Sequence, residues 1–116
     1  MRFKILFTAF FIGLLGFSSA AYAENDPVAD PKAQVVSGNA RFTVLTDRLR
    51  RMEWSEDGKF EDNATLAIIN RNLPVPAFTT VKSGDGVQIK TSSVTLNYSG
   101  SGKFDQENLS VSFKLN

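Results

Sequence analysis

The chain has no cysteine and no histidine among its 116 residues, and only one tryptophan. Without cysteine there is no disulfide framework, no thiolate metal site and no lipidated cysteine anchor. Without histidine, neither a Ser-His-Asp triad nor a His-ligated metal can be built. Thirteen Lys plus Arg face twelve Asp plus Glu, a formal net charge of +1. The basic footprint of a nucleic-acid binder is therefore missing. Also missing are a sustained helical period, a P-loop, a dinucleotide fingerprint and a G-x-S-x-G elbow. No cofactor is implied.

What is present begins with MRFKILFTAFFIGLLGFSSAAYA. Arg2 and Lys4 precede an apolar run from Ile5 to Phe17, and small residues lead to Ala21-Tyr22-Ala23. That is the three-part pattern of a secretory signal peptide over residues 1–23, with cleavage expected after Ala23. The apolar run falls short of the roughly 20 residues a membrane span needs. The expected product is thus secreted or periplasmic, with no membrane attachment after cleavage. It would keep 93 residues, with 11 basic against 12 acidic side chains. A polar stretch with Pro27 and Pro31, residues 24–33, reads as a flexible leader. Residues 34–116 hold the domain.

Within that domain the dominant period is two. Ala40, Phe42 and Val44 alternate with Arg41, Thr43 and Leu45. Val94, Leu96 and Tyr98 alternate with Thr95, Asn97 and Ser99, and Leu109, Val111, Phe113 and Leu115 with Ser110, Ser112 and Lys114. Such alternation, rich in β-branched and aromatic residues, predicts half-buried strands. SGDG (Ser83–Gly86) predicts a hairpin with Asp85-Gly86 at its tip. Ser37–Asn39, Glu56–Lys59 and Ser99–Lys103 predict further turns. Pro74 and Pro76 keep Leu73–Phe78 out of any central strand. Short strands with frequent turns predict an all-β sandwich or barrel.

The most chemical-looking stretch is RLRRMEWSEDGKFEDNAT, Arg48–Thr65. It holds Glu53, Glu56, Asp57, Glu61 and Asp62. A glycosidase pair needs two carboxylates about 5–10 Å apart across a cleft, whereas acids crowded around one turn point apart into water. The spacing also fails the EF-hand pattern, leaving only a looser calcium site as an alternative. The simpler reading is a solvated turn at Asp57-Gly58. Trp54 and Tyr98 are candidate carbohydrate contacts, since an aromatic face can carry a sugar ring. Each is in phase with apolar neighbours, Met52 and Leu96, and so reads first as core. The same parity places Arg48 and Arg50 on the Met52/Trp54 face. A salt bridge from Arg50 or Arg51 to Glu53 or Glu61 is expected. Asn63, Asn97 and Asn108 each open an N-x-[ST] triplet, a signal with meaning only in a eukaryotic secretory pathway.

The string GNARFTVLTDRLRRMEWSEDGKFEDNATLAIINRNLPVPAFT, Gly38–Thr79, resembles the start of the N-terminal domain of glycoside hydrolase family 31, the α-glucosidases and α-xylosidases. ARFTVLT, MEWSEDGKFED and NRNLPVPAF are its most specific parts, and a weaker likeness runs on to NLSVSFKLN. The resemblance implies a partial antiparallel β-sandwich of galactose-mutarotase-like type that precedes a catalytic (β/α)8 barrel in the parent enzyme. No run here matches the barrel's W-x-D-M-N-E type nucleophile motif, so no catalytic residue carries over. The chain alone is expected to be inactive, with carbohydrate and the parent's barrel as expected partners. Two positions depart from the family pattern. Arg50 stands where an apolar residue is usual, and Asp47 where proline is frequent.

Overall fold

The computed structural model describes residues 25–115. The expected signal peptide and its cleavage point after Ala23 lie outside the described residues. The described chain is all-β, apart from a single 3₁₀ turn at Pro31–Ala33. Strands β1 (Gln34–Ser37), β2 (Ala40–Val44) and β3 (Arg50–Trp54) form one antiparallel sheet in sequence order. Strands β4 (Thr79–Ser83), β5 (Gly86–Lys90), β6 (Val94–Tyr98) and β7 (Leu109–Phe113) form a second, again in sequence order. Both sheets are meanders, so every strand pairing is between chain neighbours.

Register decides which side chains face inward. Val35 opposes Phe42, and Phe42 opposes Met52, while Ala40 and Val44 oppose Trp54 and Arg50. In the second sheet Val87, Ile89, Val94, Leu96 and Tyr98 share the facing side. The core is Val35, Ala40, Phe42, Val44, Val87, Ile89, Leu96 and Tyr98, with Trp54, Phe78, Phe104 and Leu109 packed around it. Full burial of each large apolar side chain contributes about 2–3 kcal/mol against the entropy of ordering it. Phe42, Tyr98 and Phe104 form an aromatic triangle with ring centroids 5.3–5.6 Å apart. Edges and tilted faces meet there, as ring quadrupoles prefer.

Three departures from the sequence expectations have physical causes. The β4–β5 hairpin turns at Gly84-Asp85, one residue earlier than expected, because Ser83 pairs with Gly86. Gly84 has φ of +58° and Asp85 has none in that region, which suits a two-residue turn with glycine first. Residues 26–33 are fastened down. The Asp26 carbonyl accepts from the Arg71 and Asn72 N–H groups at 2.7 and 3.2 Å, and Ala29 and Ala33 are buried. Finally, β2 is buried on both faces, not one, because residues 55–73 fold back over its outer side.

The two sheets are unequal. Ser37 of β1 hydrogen-bonds the Asp85 carbonyl at the β4–β5 tip, and Arg50 of β3 reaches Val94 at the start of β6. Hence β1 lies over the β4–β5 end and β3 over β6. Strand β7 overhangs. Its inward row of Val111 and Phe113 is 45% and 65% exposed, although the alternation predicts burial. Three strands cannot cover four.

Candidate functional site

The acid-rich stretch resolves into two separate places. Its tip is a turn: Gly58 N–H donates to the Ser55 carbonyl at 3.2 Å, and the Asp57 carboxylate accepts from the Ser55 hydroxyl at 2.6 Å. That hydroxyl, followed by the Lys59 N–H, holds the Asp57 carboxyl below its ordinary pKa. Glu56 and Asp57 are exposed, as a solvated turn requires.

The other place is a charge cluster on the outer face of β2 and β3. Arg41 opposes Glu53 and Thr43 opposes Arg51 in the strand register, so Arg41, Arg51 and Glu53 crowd one surface. Arg41 forks onto Glu53 through Nε at 2.8 Å and Nη2 at 3.1 Å. Its Nη1 donates to Asp62 at 2.7 Å, and Nη2 also reaches the Glu61 carbonyl at 3.1 Å. Arg51 contacts the same Glu53 carboxylate. The Glu61 N–H donates to Glu53 at 3.1 Å, which ties the returning chain to the strand. Arg71 is buried underneath, donating to the Glu61 carbonyl at 2.8 Å and the Asn63 carbonyl at 2.6 Å. The Arg41 guanidinium also sits 4.9 Å from the Phe60 ring centroid, a cation–π contact.

The electrostatics follow. Burial pushes the Glu53 pKa up, but hydrogen bonds and charge from Arg41 and Arg51 outweigh it, and the net shift is downward. Arg41 is likewise desolvated, yet Glu53 and Asp62 carry its pKa upward. Arg71 shifts downward through burial and the nearby Arg51 charge, since it touches carbonyls and no carboxylate. Arg41 and Arg71 both remain cations. A glycosidase general acid must be held protonated near neutral pH, with a raised pKa. Glu53 is driven the opposite way, and Asp62 is occupied by Arg41. The cluster clamps the long segment after β3 onto the sheet. Among the described residues no three acidic side chains converge to hold a metal ion, so the calcium alternative gains no support.

Trp54 and Tyr98 come together across the sheets. Tyr98 is buried, its hydroxyl donating to the Gly102 carbonyl at 2.7 Å. Burial raises its phenol pKa, and the nearby Trp54 side chain works against that rise. In this arrangement Tyr98 offers no face to a sugar. Trp54 is half-buried and lines a shallow hollow of about 430 Å³ with Arg51, Glu53, Ser55, Lys59 and Phe60. Of the two aromatic candidates, it alone can reach a ligand.

Arg50 lies on the inner face, as its parity predicts. No carboxylate touches its head group; Nη2 donates to Thr91 Oγ1 at 3.1 Å and to the Val94 carbonyl at 3.0 Å. The buried Nε has no partner among the described residues. Burial lowers its pKa, with some recovery from the Asp47 charge. Asp47 belongs to the same locus: its carbonyl accepts from the Thr91 hydroxyl and its carboxylate from Ser93 Oγ at 2.7 Å. Arg50 and Asp47 thus form one latch between sheets. Of the expected ion pairs, Arg51 to Glu53 forms.

Sequence reasoning passes over Arg41 and Arg71, the residues that organise the cluster. Arg41 alternates out of phase with Ala40, Phe42 and Val44, so its position gives no sign of burial. No protein-family model matches the chain, and no curated protein matches it.

Proposed function

We propose that this chain is the non-catalytic N-terminal segment of a secreted family 31 α-glycosidase, a partial galactose-mutarotase-like sandwich that precedes the catalytic barrel of its parent. The observation that carries the reading is a coincidence of pattern and architecture. The three strings that bear the resemblance, ARFTVLT, MEWSEDGKFED and NRNLPVPAF, meet in one cluster: Arg41 of the first pairs with Glu53 and Asp62 of the second, and Arg71 of the third holds the Glu61 carbonyl. The all-β architecture with two antiparallel sheets fits the same reading. The part played in the parent would be to brace the barrel and its substrate loops, with the α-linked glucoside or xyloside bound elsewhere.

The test is hydrolysis of p-nitrophenyl α-glucoside and α-xyloside by purified protein. No release of nitrophenol above the uncatalysed rate is expected, and turnover would refute the reading. A second check is the coding DNA beyond codon 116, where an in-frame run of the W-x-D-M-N-E type is expected.

The hollow beside Trp54 supports a second reading, a free-standing carbohydrate-binding domain. Calorimetry against maltose, isomaltose and xyloglucan oligosaccharides separates the two. Heat of binding that disappears in Phe60→Ala as well as Trp54→Ala would favour the binding domain. Loss in Trp54→Ala alone would be ambiguous, because Trp54 also packs on the core.

A further inference from the structure

Strand β7 has an unused edge, and its phase can be read from the bonds it makes. Ser99 N–H donates to the Asn108 carbonyl and Lys114 N–H to the Ser93 carbonyl. These fix Ser110 and Ser112 as the residues bonded to β6. The backbone amides of Val111 and Phe113 therefore point away from the sheet, while their side chains form the uncovered inward row. The other edges carry guards. Lys82 Nζ donates to the Val36 carbonyl on β1, β4 bears Lys82 itself, and β3 bears Arg50, Arg51 and Glu53. Within Leu109–Phe113 there is no charge and no proline, the features that normally blunt an edge.

Among the described residues the charges around this edge are mainly positive. A hollow of about 600 Å³ opens beside it, floored by Val94, Val111 and Phe113 and flanked by Arg48 and Lys114. Arg50 reaches the same end of the strand through Val94. The acid at this end is Asp47, already engaged by Ser93 at 2.7 Å and by Arg48 at 3.7 Å. Three cations against one occupied carboxylate leave a positive end beside an apolar trough.

We propose that the β7 edge accepts an extended peptide in trans, as an added strand with apolar side chains at alternate positions and a carboxylate near the Phe113 end. Main-chain bonds to Val111 and Phe113 supply register, the trough takes the apolar side chains, and the carboxylate meets Arg48 and Lys114. A second copy paired antiparallel through its own β7 would set its Glu107 beside that end, and association of the protein without probe is the outcome that separates it. The proposal needs no glycan and stands apart from the glycosidase reading.

The test uses purified protein and a nine-residue probe of alternating valine and threonine bearing one glutamate. A matched probe carries lysine in its place. Fluorescence anisotropy is expected to show the glutamate probe binding at least about tenfold more tightly than the lysine probe. Amide exchange should slow at Val111 and Phe113 when the glutamate probe binds. Val111→Pro removes an outward N–H without touching a bond to β6 and is expected to lose at least about tenfold in affinity. Phe113→Lys, in the exposed row, should do the same if the proline variant does not fold. Equal affinity for both probes, or no protection at Val111, overturns the proposal. So does a dimer without probe that already protects that edge.

Discussion

Arg71 is 2% exposed and carries no carboxylate partner. Its role is to satisfy the Glu61 and Asn63 carbonyls of the segment that covers β2. Arg71→Met keeps the volume and removes the donors, so it is expected to cost about 2–4 kcal/mol in urea denaturation. Glu53 makes a pH prediction. Its pKa is depressed in the folded state, so its contribution is complete above the unfolded value of about 4.3 and is lost as pH falls through the lower folded value. Stability should therefore drop on acidification below about pH 4.5, and Glu53→Gln should flatten that limb while lowering stability at pH 7. Arg50 gives the opposite forecast. Val94 O also accepts from the Thr91 N–H, and the Thr91 hydroxyl has other partners, so its loss orphans neither. Arg50→Met is expected to leave stability unchanged or raise it by up to about 2 kcal/mol. A fall larger than that in thermal melts would show that the two hydrogen bonds outweigh desolvation.

At the scale of elements, the meeting of the β4–β5 tip with the loop after β6 is the tightest junction. Gly100 has φ of +91°, and a Cβ there would collide with the Asp85 backbone. Gly102 is also at positive φ, but a Cβ would meet open space. Gly100→Ala should thus cost well over the roughly 1 kcal/mol expected for Gly102→Ala, where only the backbone penalty applies. Comparing the two denaturation midpoints isolates the collision. Strands β2, β6 and β7 and the β4–β5 hairpin are legible in the period-two pattern because each has alternating or turn-bounded local chemistry. The burial of β2's outer face is not legible. Arg41 and Thr43 read as solvent-facing, and nothing in their spacing announces that residues 55–73 return to cover them. The exposure of β7 is equally hidden, since alternation reports which side faces inward and not whether a second sheet reaches that far. In the candidate site, Glu53 was visible as an acid and Trp54 as an aromatic. The cations that act on Glu53 from other elements, Arg41 by hydrogen bond and Arg71 by charge, lie up to 18 positions away in the sequence.

For the whole molecule, the mismatch of three strands against four sets its solution behaviour. Leu49, Met52, Val111, Phe113 and Leu115 are all exposed. Apolar surface of this kind binds partners or drives association. Phe113→Ser removes the bulkiest exposed apolar group of β7 and little buried surface. It is expected to change unfolding free energy by less than about 1 kcal/mol, while reducing dye binding to exposed apolar surface and raising the soluble monomer fraction in size-exclusion chromatography. A variant that lost stability heavily would mean that Phe113 packs better than its 65% exposure indicates.

The sequential strand order has a consequence for synthesis. Each hairpin can close as soon as its own residues exist, because pairing is always with the next strand. The ties between sheets are of another kind: Ser37 to Asp85, Asp47 to Thr91 and Arg50 to Val94 span 48, 44 and 44 positions. A chain delivered amino end first therefore completes its first sheet while the opposite layer is still unmade. The inner surface of that sheet must wait for Val94 to emerge, and it waits with Arg50 and Met52 on its rim. A cation that is a burden to the finished fold thus keeps the unfinished one in water.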